Sequence, residues 1–434
     1  MSRRTETMSR EMKDSGIEWI GQIPKEWEVN KIGNLYQVRN KKVSDKDYPP
    51  LSVTMNGIVP QLETAAKTNN GDDRKLVCKG DFAINSRSDR RGSCGVSQYD
   101  GFVSLINTIL KPRGSMNSQY YNWLFHTELF ADEFYKWGHG IVDDLWTTRW
   151  QEMKNISIVY PSLQEQQKIA DYLDKVCGEV DEMVALQEKM IEELKAYKQS
   201  IITEAVTKGL NPNVPMKNSG IDWIGEIPEH WEVVNFTKVN WIRARLGWKG
   251  LKAEEYIDVG YPFLSAFNIV NDKLEWKDLN FINYERYEES PEIKLSINDL
   301  LLVKDGAGIG KCAVVDRMPY GESTVNSSLA VVTPVGNYLI SKFQYYYFKS
   351  LIFQNTIWLL KIGMGVPHLT QENMKSIAIP CPSMDEQQEI ATYLDKKCSE
   401  IDSLIAIKRQ KIEELKDYKK SVIYEYVTGK KEVV

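Results

Sequence analysis

The sequence predicts an α+β chain built as a pseudo-two-fold internal repeat. Two mixed α/β domains are separated by two long helices that form an antiparallel coiled coil. Three observations predict it. The phrase "SGIEWIGQIPKEWEV" (15–29) returns as "SGIDWIGEIPEHWEV" (219–233). A longer phrase, "PSLQEQQKIADYLDKVCGEVDEMVALQEKMIEELKAYKQSIITEAVT" (161–207), returns as "PSMDEQQEIATYLDKKCSEIDSLIAIKRQKIEELKDYKKSVIYEYVT" (382–428). The first recurs after 204 residues and the second after 221, so the segments between them differ by 17 residues and share no obvious phrase. Such a period is too long for a solenoid and marks duplication of a whole domain. A chain of 434 residues also exceeds a single core.

The elements follow in chain order. Residues 1–14 are polar, with no apolar run behind the arginines; they are not a signal peptide and are expected as a flexible tail. The first domain is expected over 15–160. In it, "KLVCKGDFAINS" (75–86) reads as strands broken at a Gly-Asp turn, and "SQYYNWLFHTELFADEFYKW" (118–137) as an amphipathic aromatic helix. The first long helix is expected over 161–210. Ser162 and Glu165 stand at capping-box spacing directly after a proline. Apolar residues then recur at steps of four and three: Ile169, Leu173, Val176, Val180, Met183, Met190, Leu194, Tyr197 and Ile201, with Gln187 as a polar interruption. That spacing is a coiled-coil seam. Gly209 and Asn211-Pro212 stop the helix, and 211–218 is a linker.

The second domain is expected over 219–381, with "SINDLLLVKDGAGIGKCAVVD" (296–316) and "SKFQYYYFKSLIFQNTIWLL" (341–360) at matching places. The second helix and a tail fill 382–434. Its seam runs through Ile390, Leu394, Ile401, Leu404, Leu415, Tyr418 and Val422. Lys397, Lys408 and Lys411 weaken the middle, where Ile405, Ile407 and Ile412 can turn inward. A helix of about 45 residues is about 65 Å long and needs a partner. The other copy supplies it; the alternative is two surface helices lying on separate domains.

Composition excludes several classes. No run of eighteen apolar residues exists, so no membrane span is expected. Six cysteines lie far apart with no C-x-x-C pair, which fits a reducing cytoplasm. Four histidines lack metal-ligand spacing, and no metal is expected. No "[ND]-P-P-[YFW]" occurs; the nearest string, "NPNV" (211–214), sits in the linker. "DGAGIGKC" (305–312) puts Asp305 and Cys312 where a P-loop needs Gly and Ser or Thr, so it reads as a glycine turn beside a basic residue. The net charge is −5, unevenly spread. Residues 31–154 hold 17 Lys and Arg against 14 Asp and Glu, whereas the two helices hold 13 against 20. The acidic surplus lies in the helices, and the domains are near neutral or mildly basic.

The "GIxWIGxIPxxWE" openings, the "P-S-x-x-E-Q-Q-x-I-A-x-Y-L-D" helix starts and the "IEELKxYKxSxI" helix ends resemble the DNA-specificity (S, HsdS) subunits of type I restriction–modification systems, as does "KDGAGIGK". The resemblance covers the chain from about Ser15 onward. It implies a non-catalytic subunit with two target-recognition domains, each reading half of a split, asymmetric site in double-stranded DNA. It also implies helices that set the separation of those domains and dock two modification (methyltransferase) subunits. S-adenosylmethionine belongs to those subunits, and ATP with Mg to a restriction (motor–nuclease) subunit; no cofactor is expected in this chain. A structural coiled-coil adaptor and a DNA-modifying enzyme with an unrecognised motif are the alternatives.

Candidate reading residues follow from side-chain chemistry. In "NSRSDRRGSCG" (85–95), Arg87, Arg90 and Arg91 suit guanine edges or phosphates and Asn85 suits adenine; a solvated hairpin turn is the competing reading. In the second domain Arg243, Arg245 and Lys249 lie in "RARLGWKG" (243–250), and Lys304 and Lys311 flank the glycine turn. Trp19, Trp27, Trp223 and Trp231 of the repeated phrase are expected either to pack in the scaffold or to meet a partner.

Overall fold

The computed structural model describes residues 10–61, 73–140, 146–245, 251–361, 368–374 and 376–433. They form two compact units, Met1–Glu188 with Arg409–Val434, and Lys189–Lys408. The helices Leu163–Lys208 and Met384–Val427 each contribute one part to either unit, so each unit holds one domain and an antiparallel stretch of the helix pair.

In the first unit, Tyr36–Val38, Asn107–Pro112, Phe82–Asn85 and Cys94–Val96 form an antiparallel sheet in that order. Phe82–Asn85 is buried throughout, and its sequence accordingly does not alternate. The second unit repeats the order with Asn240–Ala244, Leu329–Pro334, Leu300–Val303 and Cys312–Val314. The smaller sheets differ. Gly101–Val103, Arg74–Val77 and Lys42–Val43 are all antiparallel. Tyr261–Leu264 instead pairs antiparallel with Asn280–Ile282 and parallel with Thr324–Val325. The long aromatic helix expected in each domain is two helices, Ser118–Phe125 with Glu128–Lys136 and Ser341–Lys349 with Leu351–Leu360. Thr127 and Ser350 cap the second helix of each pair and so divide the run.

The repeated phrase folds the same way twice. Met12–Asp14 pairs with Gln22–Pro24, and Met216–Asn218 with Glu226–Pro228. Residues 12–14 are therefore a strand rather than a tail, and 216–218 a strand rather than linker. The connecting turn starts at left-handed Gly16 or Gly220, whose N–H is held by Asp14 or Asn218. The next strand, Glu28–Lys31 or Glu232–Asn235, pairs with Ser157–Tyr160 or Ala378–Cys381, the strand that leads into a long helix.

The helix starts are capped by Ser162 and Ser383, each accepting the N–H of the glutamate three residues on at 3.3 Å. The expected capping box stops there, because the glutamate side chains turn elsewhere. Glu165 accepts from the Trp27 indole N–H at 2.8 Å and pairs with Arg10 at 2.6 Å. Glu386 accepts from the Trp231 indole at 3.0 Å. Both indoles are fully buried, and each also lies against the left-handed glycine that ends a long helix. A Cβ on Gly429 would fall 2.9 Å from Trp27, and one on Gly209 would fall 3.3 Å from Trp231. The following glutamines are buried as well. Gln166 accepts the Asn117 N–H at 2.9 Å, and Gln387 the Ile340 N–H at 2.9 Å, fixing the loop before each aromatic helix.

Of the expected seam, Ile169, Leu173, Val180, Ile390, Leu394, Ile401 and Leu415 are buried, and Val176 and Leu194 half-buried. Met183, Met190, Tyr197, Leu404 and Tyr418 instead face solvent. The inward line runs through Cys177, Val180, Val184, Gln187, Ile191, Leu194 and Lys198 on one helix, and Cys398, Ile401, Ile405, Lys408, Ile412, Leu415 and Lys419 on the other. The steps of four and three are kept, but polar residues occupy several of them. Lys419 reaches Asp181 on the antiparallel helix at 2.7 Å, and Lys198 reaches Asp402 at 2.7 Å. Ammonium stems lie along the seam while their heads meet carboxylates at its edge.

Trp231→Ala should lower stability by about 3–5 kcal/mol, as removal of a large buried aromatic does. Glu386→Gln keeps an acceptor for the indole and should lower the melting temperature far less than Glu386→Leu. Thermal unfolding of the three variants checks this order.

Candidate nucleic-acid interface

In each unit the two strands at one side of the main sheet are joined by a loop, 86–93 in the first and 304–311 in the second. Each is closed by the same backbone bond, Asn85 N–H to Ser93 at 2.9 Å and Val303 N–H to Lys311 at 2.8 Å. Each is also bridged from outside, Arg87 to Thr147 and Asp305 to His368. The frames match and the side chains on them do not.

The first loop presents Arg90 and Arg91 to solvent, with Arg87 half-buried. Arg90 lies 3.8 Å from Asp89, and Arg91 pairs with Asp132. Asn85 is buried, and its amide oxygen accepts the Arg87 N–H at 3.1 Å. It braces the loop from below instead of offering an edge to adenine. In the second loop Lys311 is exposed. Lys304 is buried and held by Asp305 at 2.7 Å. "DGAGIGKC" is thus a hairpin between antiparallel strands, with Gly306 and Gly310 left-handed, and not the strand-to-helix turn of a P-loop.

Two further arginines are scaffold. Arg243 is 5% exposed and donates to Asp299 at 2.9 Å and to the Thr333 hydroxyl at 2.5 Å. Arg245 is buried beside Glu289 at 3.4 Å, and burial lowers its pKa. Reaching a base would break the buried Arg243–Asp299 pair, or draw the buried Arg245 guanidinium away from Glu289. Lys249 lies outside the described residues. Arg87, Arg90, Arg91 and Lys311 are therefore the candidates on the surface; Asn85, Arg243, Arg245 and Lys304 are not.

Sequence reasoning missed the counterpart of Arg243. In the first unit Arg39 grips Asp81 with two bonds, 2.6 and 3.0 Å, and the aspartate raises the arginine's pKa. Asp81 and Asp299 both immediately precede the central strand of the main sheet. The signal was an aspartate opening an apolar strand in both domains. Of the tryptophans, Trp27 and Trp231 are core, Trp19 packs half-buried against Phe130, and Trp223 is exposed. Among the described residues no helix is long and apolar enough to cross a membrane, and no cluster of His, Cys, Asp and Glu is arranged to hold a metal.

Two copies of one sheet, braced alike and differing in their exposed loops, define a duplicated recognition scaffold. Residues 24–196 and 228–417 match the type I restriction modification DNA specificity domain, and the chain belongs to that family. Its members are the non-catalytic DNA-recognition subunits of type I restriction–modification systems. The chain is 26% identical over 430 residues to the type I restriction enzyme MjaVIII specificity subunit of Methanocaldococcus jannaschii, covering 94% of this chain and 93% of that one. It is 28% identical over 210 residues to the EcoKI specificity subunit of Escherichia coli, 48% of this chain and 44% of that one. Among solved structures it superposes with TM-score 0.72 at 14% identity on a chain from a study of complex assembly and conformational transition of the type I R-M system, covering 94% and 99%. The HsdS subunit from Thermoanaerobacter tengcongensis gives 0.53 at 15% identity, covering 94% and 98%.

Arg243→Ala leaves a buried carboxylate unpaired and should lower stability by about 3–5 kcal/mol. Arg90→Ala, at an exposed position, should stay within about 0.5 kcal/mol of the parent. Denaturant unfolding of both variants separates scaffold from surface.

Proposed function

We propose that this chain reads a bipartite, asymmetric site in double-stranded DNA, one half-site per domain. It docks two methyltransferase subunits and, through them, the motor–nuclease subunit. The observation that carries the reading is the pair of equal sheets with unequal exposed loops. A common frame aims two different surfaces, and difference between the surfaces makes the site asymmetric. Arg87, Arg90 and Arg91 serve the first half-site and Lys311 the second, as base or phosphate contacts. The near-neutral domains bind weakly alone, since affinity rises with the number of phosphates neutralised. Partner subunits supply the remaining basic surface, and S-adenosylmethionine, ATP and Mg belong to them.

The docking surface is the outward face of the helix pair. Met183, Leu186 and Tyr418 are exposed in the first unit; Leu404, Ile407 and Tyr197 are exposed in the second. A shift of 221 residues converts each member of one set into a member of the other. Two equivalent apolar patches suit two identical subunits.

Methylome sequencing of cells carrying the chain with its modification subunits tests the reading, and an interrupted asymmetric motif is expected. Replacing Arg90 and Arg91 with alanine should relax the motif in one half only, by about 1–3 kcal/mol per lost guanine contact. A motif unchanged in both halves rules out this loop as a reader, and absence of any motif rules out the function.

A fragment ending at Leu210 should dimerise. Lys198 and Lys419 are equivalent under the 221-residue shift, as are Asp181 and Asp402. Two antiparallel copies of the first helix would therefore keep both cross-helix ion pairs, with Asp181 of each copy facing Lys198 of the other. Light scattering should give twice the fragment mass, and methylation with the modification subunit should fall on a palindrome of the first half-site. A soluble monomer would refute the pairing.

A further inference from the structure

In each unit a large apolar side chain stands in water on a turn braced by its own hydrogen bonds. In the second unit it is Phe267, 92% exposed, within the short turn Ala266–Asn268. Asn268 accepts the Ser265 N–H at 2.9 Å, and the Ser265 hydroxyl accepts the Phe267 N–H at 3.3 Å. The Asn268 side chain is itself buried and donates to the Lys277 carbonyl at 3.3 Å. In the first unit it is Met55, 69% exposed, at the tip of the hairpin Leu51–Thr54 and Gly57–Pro60. There the Thr54 hydroxyl accepts the Asn56 N–H at 3.1 Å and donates to the Gly57 carbonyl at 2.9 Å. The two tips differ in backbone but share their approach, "LSVTMN" (51–56) and "LSAFN" (264–268).

Both tips also adjoin the loop that bears exposed cations. A Cβ on Gly95, just past the loop of Arg90 and Arg91, would fall 2.7 Å from the Cα of Gly57. Ser328 accepts the Ala266 N–H at 3.2 Å through its hydroxyl and the Lys304 N–H at 2.9 Å through its carbonyl. It thereby ties the Phe267 turn to the start of the loop that ends in Lys311. Folding supplies no reason to hold a phenyl ring or a thioether in water beside the cation-bearing loop in both units.

We infer that Phe267 and Met55 are wedges, each inserted into one base step of its own half-site and unstacking it, beside the bases or phosphates contacted by the cations of the neighbouring loop. The inference rests on the DNA-reading function proposed above. Phenylalanine and methionine are among the apolar side chains that proteins drive between base pairs. A protein partner would ask for a broad apolar patch. Phe267 rises instead from a polar setting of Ser265, Asn326 and Ser328, and Met55 is followed by Asn56.

The test uses the full chain in complex with its modification subunits, on a duplex carrying the methylome-defined motif with 2-aminopurine placed at successive positions outside the methylated base and its neighbours, which a methyltransferase unstacks on its own. The parent complex should show one bright, unstacked step in each half-site. Phe267→Ala should abolish the step in the second half-site alone and weaken binding about 10-fold, in line with the loss of one aromatic–base contact. Met55→Ala should do the same in the first half-site alone, and Phe267→Leu should retain the signal. Melting temperatures should not move, because both side chains lie outside the core. Methylation of the motif with no bright step, or a bright step that survives Phe267→Ala, overturns the wedge alone. Loss of a modification subunit from the Phe267→Ala complex makes the ring a protein contact and overturns it too. A parent complex that methylates no bipartite motif removes the DNA-reading function and the wedge with it.

Discussion

In each unit a buried indole, Trp27 or Trp231, joins the beginning of one long helix to the end of the other. Its N–H goes to the glutamate at the third position of the first helix, and its ring lies against the glycine that closes the second. The two contacts need different properties of one side chain. A carboxylate near a helix N-terminus sits among unpaired N–H groups and is stabilised there, so it is a strong acceptor. A left-handed glycine removes the Cβ that would otherwise hold the ring away. Tryptophan offers a large apolar face with a single donor and no acceptor at its rim. The strand that follows each tryptophan pairs with the strand entering a helix, so one indole fixes hairpin, sheet and both helix ends together.

The helix pair takes its stability and its register from different residues. Ile, Leu, Val and Cys at the inward positions supply apolar burial. Lys198 and Lys419 occupy inward positions too, yet their pairs with Asp402 and Asp181 are partly exposed on the carboxylate side. Such pairs add at most about 1 kcal/mol each, because water screens them. Their effect is on register. A heptad slip one way would set Lys198 against Arg409, whereas the opposite slip would set the two lysines against Asp395 and Asp174, so the pairs oppose one slip and not the other. A polar residue at a seam position is a known way to specify one alignment.

That division explains what could be read in the residues beforehand. The repeat, the two helices, their antiparallel pairing and the family were all legible because they are written as long phrases with a period. The seam was traced correctly through Ile169, Leu173 and Val180, then drifted to Met183, Met190 and Tyr197. Met183 and Met190 stand one residue before the inward Val184 and Ile191, and Tyr197 was preferred over Lys198, because the ion pair that makes a seam lysine tolerable is not visible in one strand of sequence. Glu165 and Glu386 were read as capping residues, a local rule, and were claimed by a tryptophan more than a hundred residues away. Arg243 and Lys304 looked like readers because isolated cations do. Their burial depends on Asp299 and Asp305, and a partner that neutralises a charge is fixed only by the fold. Phe267 and Met55 carried no signal at all, since one apolar residue in a turn resembles any other until its exposure is known.

The buried Arg–Asp pairs give the scaffold a means of carrying variable surfaces. Arg39 with Asp81, and Arg243 with Asp299, tie an outer strand to the foot of the central strand in each sheet, beneath the loops and away from them. The loop frame is then held from below by backbone bonds that any side chains can satisfy. Substitutions at Arg90, Arg91 or Lys311 touch neither the pair nor the frame, and exposed residues contribute little to stability. The exposed loop surface can therefore change without loss of the domain beneath it. Two copies of such a scaffold can diverge in their exposed loops, while the tryptophan, glutamate and glycine at the helix ends stay the same in both.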